Sequence, residues 1–212
     1  MQELDPKIYI VDDDEAFRDS LRWLLESNGF ETELFASAQQ FLNCFNSAKP
    51  GCVVLDIRMP GMTGLELQET LNKKGVRTPV IFVTGHGDIP MAVNAVKRGA
   101  IDFIEKPFNE TAMLELIAKA LLLDAQWREA DSQHAMIHSR LAKLTARELE
   151  VMECVIAGKS NKLIAEHLGI TVKTVEAHRS KVMDKMEANS VAELVQLVAH
   201  ERLRNLDHQD RF

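Results

Sequence analysis

Two rhythms of apolar residues alternate along the first half of the chain. Short β-branched or aliphatic runs are separated by stretches in which apolar residues recur every three or four positions. Ile8-Tyr9-Ile10-Val11 is the first run. After Asp12-Asp13-Asp14 a helical pattern sets Phe17, Leu21, Leu24 and Leu25 on one face until Asn28-Gly29 stops it. Glu31 to Ala36 alternates and reads as a second strand, followed by a short helix to about Phe45. Cys52-Val53-Val54-Leu55-Asp56 is continuously apolar up to its final carboxylate, the pattern of a strand buried on both faces. A helix from Gly64 to about Lys74 follows, carrying Leu65, Leu67 and Leu71. Pro79 to Thr84 is the fourth strand, Gly85-His86-Gly87-Asp88 a tight loop, and Ile89 to Lys97 a helix ended by Gly99. Asp102-Phe103-Ile104 is a short fifth strand, then Glu105-Lys106-Pro107 leads into another helix. Strict strand–helix alternation predicts a parallel sheet covered on both faces. The carboxyl ends of its strands then share one edge, where such sheets hold their ligands.

The second half is helical throughout. Neither Gly nor Pro occurs between Phe108 and Ala157, so residues 109–142 are expected to form one long helix with Asn109 as its N-cap. At 1.5 Å per residue it would run about 50 Å and hold two domains well apart. Leu116, Ala120, Leu123, Trp127, Ala130, His134, Ile137 and Leu141 follow a 4–3 spacing along it, that of a weak pairing seam. Thr145-Ala146-Arg147-Glu148 is a capping box and marks a new domain. Leu149, Met152, Val155 and Ile156 give the next helix an apolar face, closed by Gly158. A short helix over Asn161 to Leu168, a turn at Gly169-Ile170-Thr171 and a longer helix over Val172 to Met186 follow. Ala165 and Gly169 are expected to bracket a corner where bulk would clash. Val172, Val175, Val182, Met183 and Met186 read as the buried stripe, with Lys173, Thr174, Ala177, Ser180, Lys181 and Asp184 largely opposite. That arrangement is a helix-turn-helix; a small helical docking module shares the pattern.

Composition narrows the class. With 46% apolar and 27% charged residues the chain is ordinary for a globular protein. No apolar run approaches the roughly 20 residues needed to span a bilayer. The N-terminus lacks the regions of a signal peptide. Cys44, Cys52 and Cys154 are odd in number and widely spaced, which fits reduced thiols in a cytoplasm and neither a disulfide framework nor a metal site. The net charge of −7 is concentrated at the front: residues 1–122 hold 12 basic against 18 acidic residues, whereas residues 143–212 balance. Non-specific nucleic-acid binding by the whole chain is disfavoured, but six basic residues against three acidic over 159–185 leave room for a small basic face.

The strand ends carry the chemistry. Asp12 and Asp13 close the first strand, Asp56 the third, Thr84 the fourth, and Lys106 follows the fifth. Converging carboxylates repel, and a divalent cation resolves the repulsion; all-oxygen ligands suit Mg²⁺, with Mn²⁺ able to substitute. Beside such a cation, Lys106 and Thr84 make a receptacle for a phosphoryl group. Asp56 would be the nucleophile that forms the acyl phosphate. A purely structural cation site is the alternative. Asp14 reads as a helix cap, and His86 as a loop residue.

These residues closely resemble the receiver domains of two-component response regulators. The resemblance covers about residues 7–122. It rests on Val11-Asp12-Asp13-Asp14, Asp56-x-x-Met59-Pro60 with Gly64, Thr84, and Phe103-Ile104-Glu105-Lys106-Pro107. It implies a flavodoxin-like five-stranded parallel sheet of order 2-1-3-4-5 and phosphorylation at Asp56 by a sensor histidine kinase. It implies a metal site from Asp12, Asp13, Asp56 and the Arg58 carbonyl, a switch pair in Thr84 and Phe103, and a phosphate contact in Lys106. It also implies a cis bond at Lys106-Pro107. Thr84 to Ala92 looks most like the nitrogen-fixation-regulator (FixJ/NarL) subgroup.

Residues 143–203 are similar to the LuxR-type DNA-binding domain. The likeness rests on Leu144-Thr145-x-Arg147-Glu148, on Gly158-Lys159-Ser160-Asn161-Lys162-x-Ile164-Ala165, and on Thr174-Val175-Glu176-x-His178. It implies four helices, the one from Val172 entering the major groove. Lys162 and Thr174 would sit at phosphates, and Glu176, Ala177, Ser180 and Lys181 at base edges or the groove, with Lys173 a further DNA-binding residue. Several relatives carry a basic residue where Glu176 stands. The last helix, Val191 to Leu203, often makes the dimer contact. The expected organisation is a receiver over 1–122, a helical linker over 123–142 and a DNA-binding domain over 143–212. The expected function is that of a cytoplasmic, phosphorylation-dependent homodimer that binds double-stranded promoter DNA and activates transcription with RNA polymerase. It has no membrane partner and is not an enzyme beyond its own phosphoryl uptake and loss. The resemblance extends to regulators of aromatic-hydrocarbon breakdown such as styrene catabolism. Two rivals remain: an Asp-nucleophile phosphatase, although Arg58 stands where those pair a second Asp, and a constitutive DNA-binding or scaffold protein.

Overall fold

Alternation along each strand decides which helices cover which face of the sheet. In the computed structural model, which describes residues 5–85 and 89–209, five strands form one parallel sheet in the order β2-β1-β3-β4-β5. These are β1 (Lys7–Val11), β2 (Glu31–Phe35), β3 (Gly51–Asp56), β4 (Val80–Thr84) and β5 (Asp102–Glu105). Ile8, Ile10, Cys52, Val54, Ile81 and Val83 point to one face. They meet Leu21, Leu24 and Leu25 of α1 (Glu15–Ser27) and Met113, Ile117 and Ala120 of α5 (Glu110–Ala142). Tyr9, Val11, Val53, Leu55 and Phe82 point to the other. There they meet Phe41 of α2 (Ala38–Cys44), Leu67 and Leu71 of α3 (Gly64–Lys73) and Ala95 of α4 (Ile89–Lys97). Every residue of β3 is buried, as its unbroken apolar run requires. Each such aliphatic side chain contributes about 1.5–3 kcal/mol on leaving water. The fold is the expected doubly wound receiver, with sheet order 2-1-3-4-5. His86, in the loop expected before α4, lies outside the described residues.

The chain divides into two compact units, one up to Glu129 and one from Ala130. The division falls inside α5, whose first free amides are capped by Asn109: its Oδ1 accepts from Thr111 N at 2.8 Å. Asp124 and Arg128, in the stretch expected as a polar linker, are bonded into the first unit. Asp124 is 1% exposed and accepts from Gly51 N at 2.9 Å and Arg128 Nε at 2.7 Å. Arg128 also donates to the carbonyls of Ser47, Ala48 and Lys49. The 4–3 seam is put to other use. Ala120 enters the sheet core, Trp127 lies under Arg77 at 5.2 Å, and Ile137 and Leu141 join the core of the second unit.

The second unit adds α6 (Ala146–Ile156), α7 (Asn161–Leu168), α8 (Val172–Met186) and α9 (Val191–Gln209). The Thr145–Glu148 capping box opens α6. Two expectations about its core shift. In α6 the buried set is Glu148, Val151, Met152, Cys154 and Val155, while Leu149 is exposed. Positions 148, 151, 152 and 155 make the inward face, and Leu149 falls one step round from it. In α8, Val175, Val182 and Met186 are buried and Met183 half-buried, but Val172 is 42% exposed. At the α7–α8 corner the constraint is also not the expected one. A Cβ on Gly169 would meet nothing within 4 Å; glycine is required by φ of +64°, the left-handed region.

Candidate functional site

Three strand ends deliver one constellation. Asp12 follows β1 and is 2% exposed; Asp56 ends β3 and is 9% exposed. Lys106 follows β5, its backbone N donating to Thr84 O at 2.8 Å. The Lys106 ammonium stands between the carboxylates, 2.7 Å from Asp12 Oδ2 and 3.2 Å from Asp56 Oδ1. It also lies 3.7 Å from the centre of the Phe17 ring, a cation–π contact. Asp56 Oδ2 accepts from Arg58 N at 2.6 Å, and Asp12 Oδ1 from Asp14 N at 2.9 Å. Arg18 donates to the Asp12 carbonyl at 2.7 Å. Asp14 is the N-cap of α1, accepting from Phe17 N. The turn after Asp56 closes with Gly64 N on Ile57 O at 3.0 Å. A Cβ on Gly64 would stand 2.1 Å from the Asp56 carbonyl oxygen, so only glycine permits this approach. The Lys106-Pro107 bond is cis.

Charge at this edge is unbalanced. Burial, then the neighbouring Asp12 carboxylate, raises the proton affinity of Asp56. Lys106 and the Arg58 amide oppose that shift without cancelling it. For Lys106, burial works against the charged form, but the hydrogen bond and charge of Asp12, then those of Asp56, outweigh it and raise its pKa. Two buried carboxylates share one ammonium, and all their donors are oxygen. That excess of hard negative charge fits a divalent cation such as Mg²⁺. Of the expected set, Asp12, Asp56 and Lys106 are brought together. The Asp13 side chain is exposed, and among the described residues no three acidic, His or Cys side chains gather as a ready metal cluster. Thr84 is fully buried, its hydroxyl donating to Gly85 O at 3.1 Å, and Phe103 is half-buried against the sheet core.

On the second unit, Lys162, Lys173, Glu176, Ala177, Ser180 and Lys181 are all exposed. Thr174 is half-buried. Its hydroxyl lies 2.8 Å from that of Thr171, the N-cap of α8, and its amide donates to Thr171 Oγ1 at 3.1 Å. Bonds that the sequence reading missed hold α8 in place. Arg179 donates to Asn161 at 2.8 Å, bracing α8 on the start of α7. Arg147 donates to Leu168 O at 2.5 Å, tying α6 to the corner. Lys185 donates to the buried Glu148 at 2.6 Å and to Lys143 O at 3.0 Å. The six-to-three basic excess over 159–185 was a signal for exposed cations, and two of its members, Arg179 and Lys185, turned out to be braces.

A carboxylate pocket on a doubly wound sheet, joined in one chain to a helix-turn-helix, makes transcription regulators the class for comparison. The family model described as the response regulator receiver domain matches residues 8–118. The model for bacterial regulatory proteins of the luxR family matches residues 142–198. The transcriptional regulatory protein FixJ of Bradyrhizobium diazoefficiens is 44% identical over 198 residues, which cover 93% of this chain and 97% of FixJ. The response regulator TodT of Pseudomonas putida F1 is 43% identical over 198 residues, covering 93% and 86%. Among solved structures, that of the response regulator StyR has a TM-score of 0.86 at 46% identity, covering 92% of this chain and 98% of that one. Full-length FixJ from B. japonicum gives 0.58 at 44% identity, covering 93% and 98%. The chain belongs to the two-component response regulators, with a receiver domain and a LuxR-type DNA-binding domain, and it is similar over nearly its whole length to FixJ. FixJ is a transcriptional regulatory protein and TodT a response regulator.

Proposed function

We propose that this regulator is switched by phosphorylation of Asp56 and then binds promoter DNA as a dimer. The observation that carries the reading is the Lys106 ammonium held between Asp12 and Asp56. A sensor histidine kinase supplies the phosphoryl group. The Asp56 carboxylate attacks phosphorus, the P–N bond of the phosphohistidine breaks, and the imidazole leaves as the P–O bond forms. Asp12, Asp13, Asp56 and the Arg58 carbonyl would hold Mg²⁺. Bound there, the ion offsets negative charge on the phosphoryl oxygens. Lys106 keeps its contact with Asp12 and turns its remaining donors to the phosphoryl oxygens. The Thr84 hydroxyl exchanges the Gly85 carbonyl for one of them, and Phe103 follows by repacking. No helix among the described residues is long and apolar enough to cross a membrane, which suits a cytoplasmic regulator.

The receiver is taken as 1–122, the helical linker as 123–142 and the DNA-binding domain as 143–212. In the last, Lys162, Lys173 and Thr174 contact phosphates, while Glu176, Ala177, Ser180 and Lys181 face the groove. Two chains on paired half-sites then recruit RNA polymerase and activate transcription. Incubation with acetyl phosphate and Mg²⁺, followed by intact-mass analysis, tests the reading. One phosphoryl group should be gained by the wild type and none by Asp56→Asn, and operator affinity should rise with occupancy. Steady hydrolysis of small phosphomonoesters would instead mark a phosphatase, and DNA binding indifferent to acetyl phosphate a constitutive binder.

A further inference from the structure

Val172 is an apolar side chain left outside the core at the first position of the groove-facing helix. Val175, Val182 and Met186 define the buried side of α8. At 100° per residue, Val172 lies about 60° round from their centre. Glu176, one turn further on, shares that edge and is also exposed. The Thr171–Thr174 hydroxyl pair and the Thr171 cap fix the first turn. A β-branched side chain in a helix keeps essentially one rotamer, so both Val172 methyls have a set direction. Exposed Lys162, Lys173 and Lys181 belong to the same two helices and suit a polyanion. In a helix-turn-helix the N-terminal residues of the second helix reach base edges. The apolar feature that the major groove offers there is the thymine 5-methyl.

We propose that Val172 reads a thymine methyl in each operator half-site and so sets sequence preference at that position. The inference rests on the DNA-binding role proposed for α8. The operator is first selected from random double-stranded DNA with the full-length protein treated with acetyl phosphate and Mg²⁺. Each thymine is then replaced singly by deoxyuridine, which removes only the methyl, and Kd is measured for wild type, Val172→Ala and Val172→Thr. At one position per half-site, deoxyuridine should weaken wild-type binding about fourfold, the worth of one buried methyl. Val172→Ala should bind the thymine and deoxyuridine forms alike, with Val172→Thr between. Circular dichroism and the thermal midpoint should match wild type, because the side chain supports no core. Equal deoxyuridine penalties in wild type and Val172→Ala at every position, with the operator still bound, would overturn the proposal and leave the DNA-binding role intact. Failure of the wild type to select any DNA would overturn both.

Discussion

Burial and the adjacent Asp12 carboxylate raise the proton affinity of Asp56, so in its ionised form this residue opposes the fold that holds it. A carboxyl with a folded pKa above its unfolded value stabilises fully only below the unfolded value. That contribution is lost as pH rises through the folded pKa. Asp56→Asn removes the charge and keeps the shape. It should therefore raise the thermal midpoint of the first unit at neutral pH while abolishing phosphoryl uptake; an unchanged or lower midpoint in a pH 7 melt would contradict this account. Glu148 presents the opposite sign. Its hydrogen bond from Lys185, then that from Thr145 N, hold its carboxyl down to about 2 from the ordinary 4.5. It contributes stability above the unfolded value, and the contribution disappears as pH falls from about 4.5 to about 2. Glu148→Gln should lower stability at neutral pH and flatten the acid limb, read as hydrogen exchange at the amides of Val151 and Met152 between pH 5 and pH 3. An acid limb identical to wild type would place the sensitivity elsewhere.

α5 belongs to both units, and its first three turns pack on the sheet face through Met113, Ile117 and Ala120. Asp124 and Arg128 extend that attachment. A carboxylate 1% exposed takes the Gly51 amide and the Arg128 guanidinium, which in turn covers three carbonyls of the α2–β3 connection. Arg128→Ala leaves the buried Asp124 carboxylate without its cation, while the three exposed carbonyls return to water, and should destabilise the first unit by about 2–3 kcal/mol in urea unfolding. Asp124→Asn with Arg128→Ala should recover part of the loss, because the uncompensated charge is then gone; an Arg128→Ala cost within error of zero would show that the clamp is decorative. The clamp was not legible in the sequence, because an acid four residues before an arginine in a polar helix reads as a solvated pair. Its decisive partner, Gly51 N, is 73 positions away. The strands were legible because buried runs and alternation mark them directly, and α6 because its capping box fixes its start. The meeting of Asp12, Asp56 and Lys106 was legible too, since parallel strands deliver their ends to one edge. Which of Asp12 and Asp13 turns inward was not, because consecutive acids carry no pattern. Val172 and Leu149 were misplaced because a three- or four-residue spacing tolerates a neighbour at the margin of the buried arc.

For the whole molecule, the proposed switch requires that a charge change at one strand edge alter affinity for DNA. Lys106 is the group best placed to register it, since its ammonium touches two carboxylates 94 and 50 positions away in the chain. Phosphorylation would replace one of those contacts, the Asp56 carboxylate, with phosphoryl oxygens, while Asp12 stays as it is. An ammonium follows such a change as a point charge without needing a planar partner. Lys106→Ala should therefore uncouple the units. The variant should still take up a phosphoryl group, but operator affinity should not rise with occupancy. Removing the cation also leaves the repulsion between Asp12 and Asp56 unopposed, which favours a divalent cation between them, so uptake should require no more Mg²⁺ than in wild type. Two titrations at one fixed ionic strength check this, since binding to a polyanion shifts steeply with salt. One follows phosphoryl occupancy by mass against Mg²⁺, the other operator Kd with and without acetyl phosphate. An operator gain equal to wild type at matched occupancy would show that the signal leaves the strand edge through another residue, with Thr84 the next to test.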